Sequence, residues 1–354
     1  MTTQSRYVAA PGDPTWAIGA LQETTFRWEY DDGRAELLAL YDKGKRQQWD
    51  AQERIDWSKD LDCDNPMMLP DETISIAGSE LWNKLSPQQM TEFRRHAQAW
   101  QISQFLHGEQ GALICTAKIV QQVQNVDAKF YAATQVIDEA RHVEAYSRLL
   151  HDKFNMVFPM NKPLQALIED VITHKDWDFT YLGMQVVIEG LALAAFQSIR
   201  DKAQNSLAAQ VNAYVMQDEA RHVAFGRLAL RDYYPQLSDG ERDRREEFLV
   251  EACYLMRDRM DPSDVWAAVG LDLKECRAIH EAALATLKFR SRLFSRIVPT
   301  VRDIGLLGPR ARKAFEDLGA IQFADRDSAV MLEEDNRVAE EFDAKRLVTQ
   351  ALAQ

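Results

Sequence analysis

The chain has 354 residues, of which 46% are hydrophobic and 27% are charged, an ordinary balance for a globular protein. Its formal net charge of −13 argues against a nucleic-acid partner, and the absence of a run of about 18 apolar residues argues against a membrane span. No apolar run follows the first residues as in a secretory signal, and the four cysteines lack a paired spacing, so we expect reduced thiols in a cytoplasmic protein.

The N-terminal part is predicted to contain an arm, a helix and a loop. Residues 1–30 include prolines and several aromatic residues without a clear period, so we expect an irregular arm. Apolar residues at helical spacing predict a helix over 34–58. Asp, Asn and Pro residues cluster between 59 and 73 and predict a loop. We assign residues 1–85 to this N-terminal arm and helix.

Two long helices joined by a short turn are predicted next. Ser86 followed by Pro87 is typical of a helix start, with serine as the N-cap and proline in the first turn. No helix breaker follows for roughly 38 residues, which corresponds to a helix of about 57 Å. Asp127 can cap the next helix, which should end near Phe154.

A second helix pair is predicted after a break at 155–163 and a linker. Its first helix should span 176–203, and Ser206 can cap its second helix, which should end before Pro235. Short turns within each pair predict antiparallel neighbours, and the longer connection is the crossover between the pairs. Residues 86–235 would then form a four-helix bundle.

The C-terminal region, residues 236–354, is also predicted to be helical. Residues 238–241 match a capping box that opens a helix to about Met260. Asp272 opens another helix through Ile297, and shorter helices close the chain. Because no strand pattern is apparent, we predict a single all-α domain.

One hexapeptide occurs twice in the bundle region. Asp-Glu-Ala-Arg-His-Val stands at 138–143 and again at 218–223, an offset of 80 residues. Glu109 and Glu189 keep the same offset, because each lies 30 residues before the Glu of its motif. Each half of the bundle therefore carries one Glu followed by a Glu-x-x-His motif, and the repeat is a repeat of potential ligands.

Helix geometry predicts that these side chains meet in the bundle core. Residues three apart share a helical face, so the Glu and His of each motif can point at one place. Four helices would supply four carboxylates and two imidazoles, a set that suits two iron or manganese ions better than zinc alone. A solvated helix face would explain one Glu-x-x-His pair but not two matched copies. The predicted metal ligands are Glu109, Glu139, His142, Glu189, Glu219 and His222.

Residues beside the predicted ligands indicate how the site is supported. Asp138 and Asp218 each precede a ligand Glu, and we expect each to accept a hydrogen bond from the His of the opposite motif. The alternative is that Asp138 and Asp218 lie on the helix surface and do not contact the histidines. Arg141 and Arg221 are interpreted as salt-bridge partners of neighbouring carboxylates. Tyr146, one turn after the first His, is either a redox-active or hydrogen-bonding tyrosine or a buried structural one.

Apolar and often small residues lie within about two turns of the ligands. They predict a dry cavity beside the metals that holds an organic substrate, with ordinary core packing as the alternative. The extra carboxylates expected along a ferritin-type iron entry route are absent from these positions. The predicted pocket residues are Phe105, Ala112, Leu113, Val186, Ala192, Leu193, Phe196, Phe225 and Gly226.

The two Glu and Glu-x-x-His sets, which span roughly residues 87–235, resemble the ferritin-like superfamily of dinuclear iron carboxylate oxygenases and oxidases. Within it, the motifs are similar to those of multicomponent monooxygenase hydroxylases, the ribonucleotide reductase radical subunit and acyl-carrier-protein desaturases. This resemblance implies a ferritin-like four-helix bundle with additional N- and C-terminal helices. It also implies two iron ions, with a Mn/Fe pair as an alternative, and O2 as co-substrate.

Several positions depart from individual subfamilies. The radical subunit commonly has Asp as its first ligand, where this chain has Glu109, although Tyr146 matches the position of its radical tyrosine. The monooxygenases carry a Thr one turn after the third Glu, where this chain has Leu193. Arylamine N-oxygenases carry an extra His one turn before the fourth Glu, where this chain has Val215. The desaturases have a longer gap between the first two ligands.

We therefore predict a stand-alone, monooxygenase-type diiron oxygenase or oxidase that acts on a small organic substrate. Electrons would come from an external donor, because no flavin, nicotinamide or Cys-rich cluster motif is visible. A ribonucleotide-reductase-like radical subunit, an acyl desaturase and an iron-handling ferroxidase are the alternatives. We expect no nucleic-acid or membrane partner, and a homodimer stays open beside a monomer.

Overall fold

The computed structural model describes residues 24, 34–123 and 125–353, and within these residues the architecture is all-α without a β-strand, which confirms the predicted fold class. Nearly all of the predicted arm, residues 1–30, lies outside the described residues. The α-helices are, in order, α1 Ala35–Arg46, α2 Ala51–Arg54, α3 Glu80–Asn83, α4 Pro87–Gln122, α5 Val126–Arg148, α6 Lys162–Thr173, α7 Trp177–Tyr181, α8 Glu189–Lys202, α9 Ser206–Tyr233, α10 Asp239–Asp258, α11 Ser263–Ala268, α12 Leu273–Ala282, α13 Leu284–Leu293, α14 Ile297–Asp303, α15 Pro309–Asp317 and α16 Ser328–Ala353.

Four of these helices form the predicted bundle. Helices α4 and α5 pack along each other after a short turn, and α8 packs along α9 in the same way. The other helices cover this bundle: α1 packs against α5 and α9, and α16 lies along α9. Helix α10 packs against α6 and α15. The bundle interior is therefore enclosed by elements from both ends of the chain.

Two helix starts follow the sequence prediction closely. Ser86 and Gln89 form a reciprocal capping box at the start of α4, with Pro87 in its first turn. Ser238 and Glu241 form the predicted capping box of α10. Because these caps satisfy backbone N–H groups that have no intrahelical partner, they fix where each helix begins.

Two other caps were predicted wrongly by one or two residues. The N-caps of α5 and α9 are Asn125 and Asn205, whose side-chain oxygens accept hydrogen bonds from first-turn N–H groups. Asp127 and Ser206 therefore lie inside the first turn of their helices. Asp127 instead accepts a hydrogen bond from the backbone N–H of Arg34 at 2.9 Å, which ties the start of α1 to the bundle.

Four longer predictions are also corrected. The helix predicted over 34–58 breaks after α1, because Asp50 caps the separate short helix α2. The predicted linker contains the amphipathic helix α6, in which Pro163 lies in the first turn and does not break the helix. The helix predicted from Asp272 to Ile297 is divided at Ala283, which adopts extended backbone angles. Finally, the chain ends in a helix of 26 residues rather than in short helices alone.

The segment before α8 is a π-helix, Leu182–Ile188, so that Trp177–Lys202 is one continuous helical stretch with a widened turn. This 26-residue stretch contains an 18-residue window with a mean hydropathy of 1.5, so it is long and apolar enough to cross a membrane. However, 89% of its most apolar window is buried inside the structure. π-Helical turns of this kind are frequent at functional sites, and this one ends directly at Glu189.

Candidate metal centre

Six buried side chains from the four bundle helices converge in the core, and each is at most 5% exposed. Ligand atoms from two groups of four residues lie within 4.8 Å of one another in each group. Two glutamates belong to both groups, which is the arrangement expected of carboxylates shared by two metal ions. The groups are Glu109, Glu139, His142 and Glu219, and Glu139, Glu189, Glu219 and His222.

Each imidazole turns one nitrogen toward this cluster. Nδ1 of His142 lies 3.2 Å from Oε2 of Glu109 and 3.0 Å from Oε1 of Glu219. Nδ1 of His222 lies 3.0 Å from Oε1 of Glu139 and 3.4 Å from Oε2 of Glu219. The centroids of the two imidazole rings are 5.9 Å apart. The structure thus brings together all six residues that the duplicated motif predicted as ligands.

The donor atoms of the cluster fit two metal ions. Buried oxygens of Glu139, Glu189 and Glu219 and Nδ1 of His222 have no hydrogen-bond partner. Each such unpaired buried group costs about 1–3 kcal/mol, and four carboxylates in one dry core also repel one another. Two divalent cations would pair these atoms and balance the four negative charges. Carboxylate oxygens with imidazole nitrogens suit iron or manganese.

Without cations, the crowding of the buried carboxylates shifts their pKa values, and it raises those of Glu109 and Glu189. Burial and the charge of Glu219 raise the pKa of Glu109 to about 8. Burial and the same neighbouring charge raise the pKa of Glu189 well above its ordinary value. Burial would also raise the pKa of Glu139, but the positive charges of His222 and His142 beside it hold it below its ordinary value. Metal binding would therefore release protons from the cluster.

The outer nitrogen of each imidazole contacts an aspartate of the opposite motif. Nε2 of His142 lies 3.1 Å from Oδ2 of Asp218. Nε2 of His222 lies 3.2 Å from Oδ2 of Asp138. The predicted hydrogen bonds across the bundle are therefore present. Because each aspartate accepts from Nε2–H, Nδ1 of each imidazole would present its lone pair to a metal ion once the ring is neutral.

The two arginines of the duplicated motif bind the same two aspartates. Arg141 contacts Asp138 and lies 3.0 Å from Asp218. Arg221 lies 3.2 Å from Asp138 and 2.5 Å from Asp218. All four side chains are buried, so the two positive charges neutralise the two negative charges in a closed ring. The prediction of salt-bridge partners is confirmed.

The residues between α1 and α2 close this ring from outside, and no sequence motif identified them. Nε2 of Gln48 donates to Oδ1 of Asp138 at 2.7 Å, and Nε1 of Trp49 donates to Oδ2 of Asp218 at 2.8 Å. The side-chain oxygens of Gln47 and Gln48 accept hydrogen bonds from the two arginines at 2.9 and 2.8 Å. We call residues 47–49 the closing segment.

Gln135 is a second buried residue that the sequence prediction missed. Its Nε2 donates to Oε1 of Glu139 at 3.0 Å and to Oε1 of Glu189 at 2.9 Å. It lies one turn before Glu139 on the ligand-bearing face of α5, a spacing that could have identified it. The carboxamide therefore holds two carboxylates from different helices in one orientation.

Some predicted pocket residues form an aromatic group with Tyr146. The rings of Phe105 and Phe196 meet edge to face at 4.6 Å, and each lies 5.8 Å from the ring of Tyr146. The hydroxyl of Tyr146 donates to Oδ1 of Asn212 at 3.1 Å. Burial and the charge of Glu109 raise the pKa of Tyr146 well above its ordinary value. A redox role for this tyrosine stays a prediction.

The remaining predicted pocket residues lie elsewhere around the centre. Phe225 packs between the rings of Tyr131 and Tyr181, at 4.5 and 5.0 Å, and Gly226 approaches Gln185. The others line the helices as buried residues, Ala112, Val186 and Leu193, or half-buried ones, Leu113 and Ala192. Two concavities on the described surface, of about 250 and 720 Å³, have linings that include none of these nine residues. The pocket stays a prediction.

The family model described as "P-aminobenzoate N-oxygenase AurF" matches residues 31–305, which include the whole cluster, the closing segment and the bundle. The chain belongs to the AurF family. It is therefore a dinuclear-iron oxidoreductase that activates O2 with two metal ions, and it is a member of the ferritin-like superfamily. No curated protein sequence matches this AurF-family chain.

Solved structures similar to this AurF-family member have low sequence identity. An "R2-like ligand-binding oxidase with aerobically reconstituted metal cofactor after photoconversion" is 15% identical, covers 78% of this chain and 95% of its own, and has a TM-score of 0.51. "Protein 19 with aldehyde deformylating oxidase activity from Synechococcus" is 18% identical, covers 64% and 97%, and scores 0.48. The Rnr4 homodimer from Saccharomyces cerevisiae is 19% identical, covers 80% and 83%, and scores 0.47. The first of these shares the overall helical fold.

Proposed function

We propose that this protein is a monooxygenase-type member of the AurF family that oxidises a small organic substrate with O2 and electrons from a separate donor. The observation that carries the proposal is the set of four carboxylates and two imidazoles that converge in a dry core. Val215, which is buried one turn before Glu219, occupies the position at which arylamine N-oxygenases carry an additional histidine. Because that histidine is missing, we propose a metal centre with six ligands. We also propose that its substrate is not restricted to arylamines.

Each ligand would have a defined place in this centre. Glu109 and His142 would hold one ion, Glu189 and His222 would hold the other, and Glu139 with Glu219 would contact both, as their membership of both groups indicates. When bound, the two ions supply the oxygen-activating redox chemistry, while the protein orients the substrate and excludes water.

The surrounding residues would keep the ligands in place during turnover. Asp138 and Asp218 hold the Nε2–H of each histidine, and Gln135 holds two of the carboxylates. The aromatic group of Phe105, Phe196 and Tyr146 excludes water on one side of the cluster. We further propose a cytoplasmic location, which the spacing of the cysteines favours.

Electrons would come from a separate protein or small-molecule reductant. Of the four cysteines, Cys63 is exposed while Cys115, Cys253 and Cys276 are buried, and all four are free. They offer no cluster of thiolates that could hold an iron–sulfur centre. An external donor is thus the simplest source of reducing equivalents.

Metal content and oxygen use together test the proposal. Elemental analysis of the iron-loaded protein should give two iron ions per chain, and addition of reductant with an oxidisable substrate should produce coupled O2 consumption. Glu139→Ala removes a carboxylate shared by both groups and should abolish both results. Glu144→Ala, which alters an exposed glutamate on the same helix, is the matched control. Turnover by Glu139→Ala at the wild-type rate would refute the ligand assignment.

We also propose that two copies pair through the outer face of α4 and α5. Ile114, Phe130 and Ile137 are 49, 42 and 56% exposed on this face, and the neighbouring Ala117 and Ala133 are exposed as well. In a chain with a net charge of −13, an uncharged apolar face lets two copies meet without opposing like charges. The Rnr4 structure is a homodimer by its own description.

The oligomeric state tests this pairing. Light scattering should give twice the chain mass for the wild type and a monomer for Ile137→Glu. Val330→Glu changes an apolar residue on α16 that is 65% exposed, more than Ile137, and this variant should stay dimeric. A monomeric wild type, or a dimer that persists in Ile137→Glu, would contradict the proposed face.

A further inference from the structure

We infer that four buried polar side chains beside Glu189 and His222 form a subsite for an uncharged hydrogen-bonding group of the substrate, such as a carboxamide. The inference rests on the proposed function, because it names the substrate chemistry of the same centre. The subsite, called here the polar subsite, consists of Tyr131, Gln135, Tyr181 and Gln185, which are at most 1% exposed.

Gln135 connects the polar subsite to the cluster. Its Nε2 donates to both Glu139 and Glu189, at 3.0 and 2.9 Å, so that its position at the edge of the cluster is fixed. Its Oε1 is buried and has no hydrogen-bond partner. One acceptor next to the ligands is thus available to a bound molecule.

Gln185 lies one turn before Glu189 within the π-helix. Neither Oε1 nor Nε2 of its carboxamide has a partner, although the residue is completely buried. Gly226, one turn after His222, leaves room for it, because a Cβ at this position would lie 2.5 Å from Cβ of Gln185. The missing side chain at Gly226 therefore allows a polar side chain to lie between the two helices.

Two tyrosines complete the polar subsite. Tyr131 lies one turn before Gln135 on α5, and Tyr181 lies one turn before Gln185. Both rings pack against the ring of Phe225, with centroid distances of 4.5 Å for Tyr131 and 5.0 Å for Tyr181. Both hydroxyl groups are buried without a hydrogen-bond partner. The four side chains thus form two pairs. Tyr131 and Gln135 precede Glu139 at intervals of four residues, and Tyr181 and Gln185 precede Glu189 in the same way.

The opposite side of the cluster has a different character. There the hydroxyl of Tyr146 is paired with Asn212, and its ring packs against Phe105 and Phe196. Because an unpaired buried donor or acceptor is costly, the unpaired side-chain atoms of the polar subsite indicate a place where an occupant supplies the missing partners. The substrate would present a polar group to the polar subsite.

Charge decides which polar group fits. The four side chains of the polar subsite are neutral, and the nearby Arg141 and Arg221 are paired with Asp138 and Asp218. An anionic group in the polar subsite would find no unpaired side-chain cation beside it, which is unfavourable for a buried charge. A carboxamide is uncharged and carries both donors and an acceptor, so it can pair with glutamine and tyrosine side chains together.

The test compares two molecules of the same size that differ in charge. The metal-loaded full chain is titrated with 4-aminobenzamide and with 4-aminobenzoate by calorimetry, and binding is followed independently by the visible spectrum of the cobalt-substituted protein. We expect the amide to bind at least tenfold more tightly than the carboxylate. Gln185→Leu should weaken amide binding at least tenfold, whereas Gln122→Leu, a buried glutamine at the far end of α4, should leave it unchanged.

A stability measurement separates recognition from folding. Because Gln185→Leu and Tyr181→Phe each remove unpaired buried polar atoms, both ligand-free variants should unfold at the wild-type temperature or above it, while both bind the amide more weakly. Absence of amide binding, tighter binding of the carboxylate, or a lower unfolding temperature in both variants would overturn the inference. Metal analysis of the same samples shows separately whether the two-iron centre itself has failed.

Discussion

We predict that Trp49 of the closing segment, which lies outside the bundle, affects the affinity of the centre for metal ions. Nε1 of Trp49 donates to Oδ2 of Asp218 at 2.8 Å, and the same oxygen lies 3.1 Å from Nε2 of His142. Trp49→Phe keeps an aromatic ring in place but removes the N–H donor. Asp218 would then be less firmly held, and so would the imidazole that it orients.

The magnitude follows from the contacts that remain. A hydrogen bond to a charged group contributes about 1.5–3 kcal/mol. Asp218 keeps its contacts with Arg141 and Arg221, at 3.0 and 2.5 Å, and Trp49 is only half-buried, so we expect a loss near the lower limit. About 1.4 kcal/mol corresponds to a tenfold weaker binding constant.

Competition with a chromophoric chelator measures this change directly. Trp57→Phe is the matched control, because the indole N–H of Trp57 donates to the backbone oxygen of Ala51 at 2.7 Å and contacts no part of the ring of aspartates and arginines. The wild type and Trp57→Phe should retain metal equally, and Trp49→Phe should release it at about tenfold lower chelator concentration. Equal retention by all three proteins would refute the reasoning.

Three further predictions concern other parts of the chain. Gly226→Ala should destabilise the protein by about 1–3 kcal/mol through overpacking. Gly108→Ala, where no atom lies within 4 Å of the new Cβ, should instead stabilise it by about 0.5–1 kcal/mol. Thermal unfolding measures both variants, and equal effects would contradict the packing argument. Tyr146→Phe should leave the electron paramagnetic resonance spectrum of the O2-reacted protein unchanged, and loss of a stable tyrosyl radical would instead support a radical subunit. Burial lowers the pKa of His280 to about 4, so the neutral form stabilises the fold above pH ~6.5 and this contribution is lost as the pH falls toward 4. Urea unfolding of His280→Gln should show a smaller loss of stability than the wild type over that range. Parallel curves of stability against pH for the two proteins would refute the assignment.

The centre was largely predictable because its ligands follow local rules. The i and i+3 spacing places Glu139 and His142 on one face, and the duplication at a fixed offset indicates that Glu219 and His222 belong to the same site. Asp138 could be assigned on the general chemistry of ligating histidines alone. These inferences need only the geometry of single helices and the symmetry of the repeat.

The rest of the site depends on tertiary contacts that carry no periodic pattern. The closing segment is recognisable only once Gln48 and Trp49 are seen against the bundle, 90 and 169 residues from their partners in sequence. The π-helix before Glu189 has no proline or glycine pattern that distinguishes it from a regular helix, although Gly183 lies within it against Val171. The break at Ala283 is likewise unmarked in the sequence.

The closing segment also limits how far this protein can be dissected. A fragment that began at Ser86 would carry every proposed ligand, yet the ion pairs behind the two imidazoles would lose the indole and carboxamide groups that shield them. Water would then compete for those aspartates and loosen the histidines. The smallest unit able to retain its metals should therefore start no later than α1, even though the ligands begin far downstream.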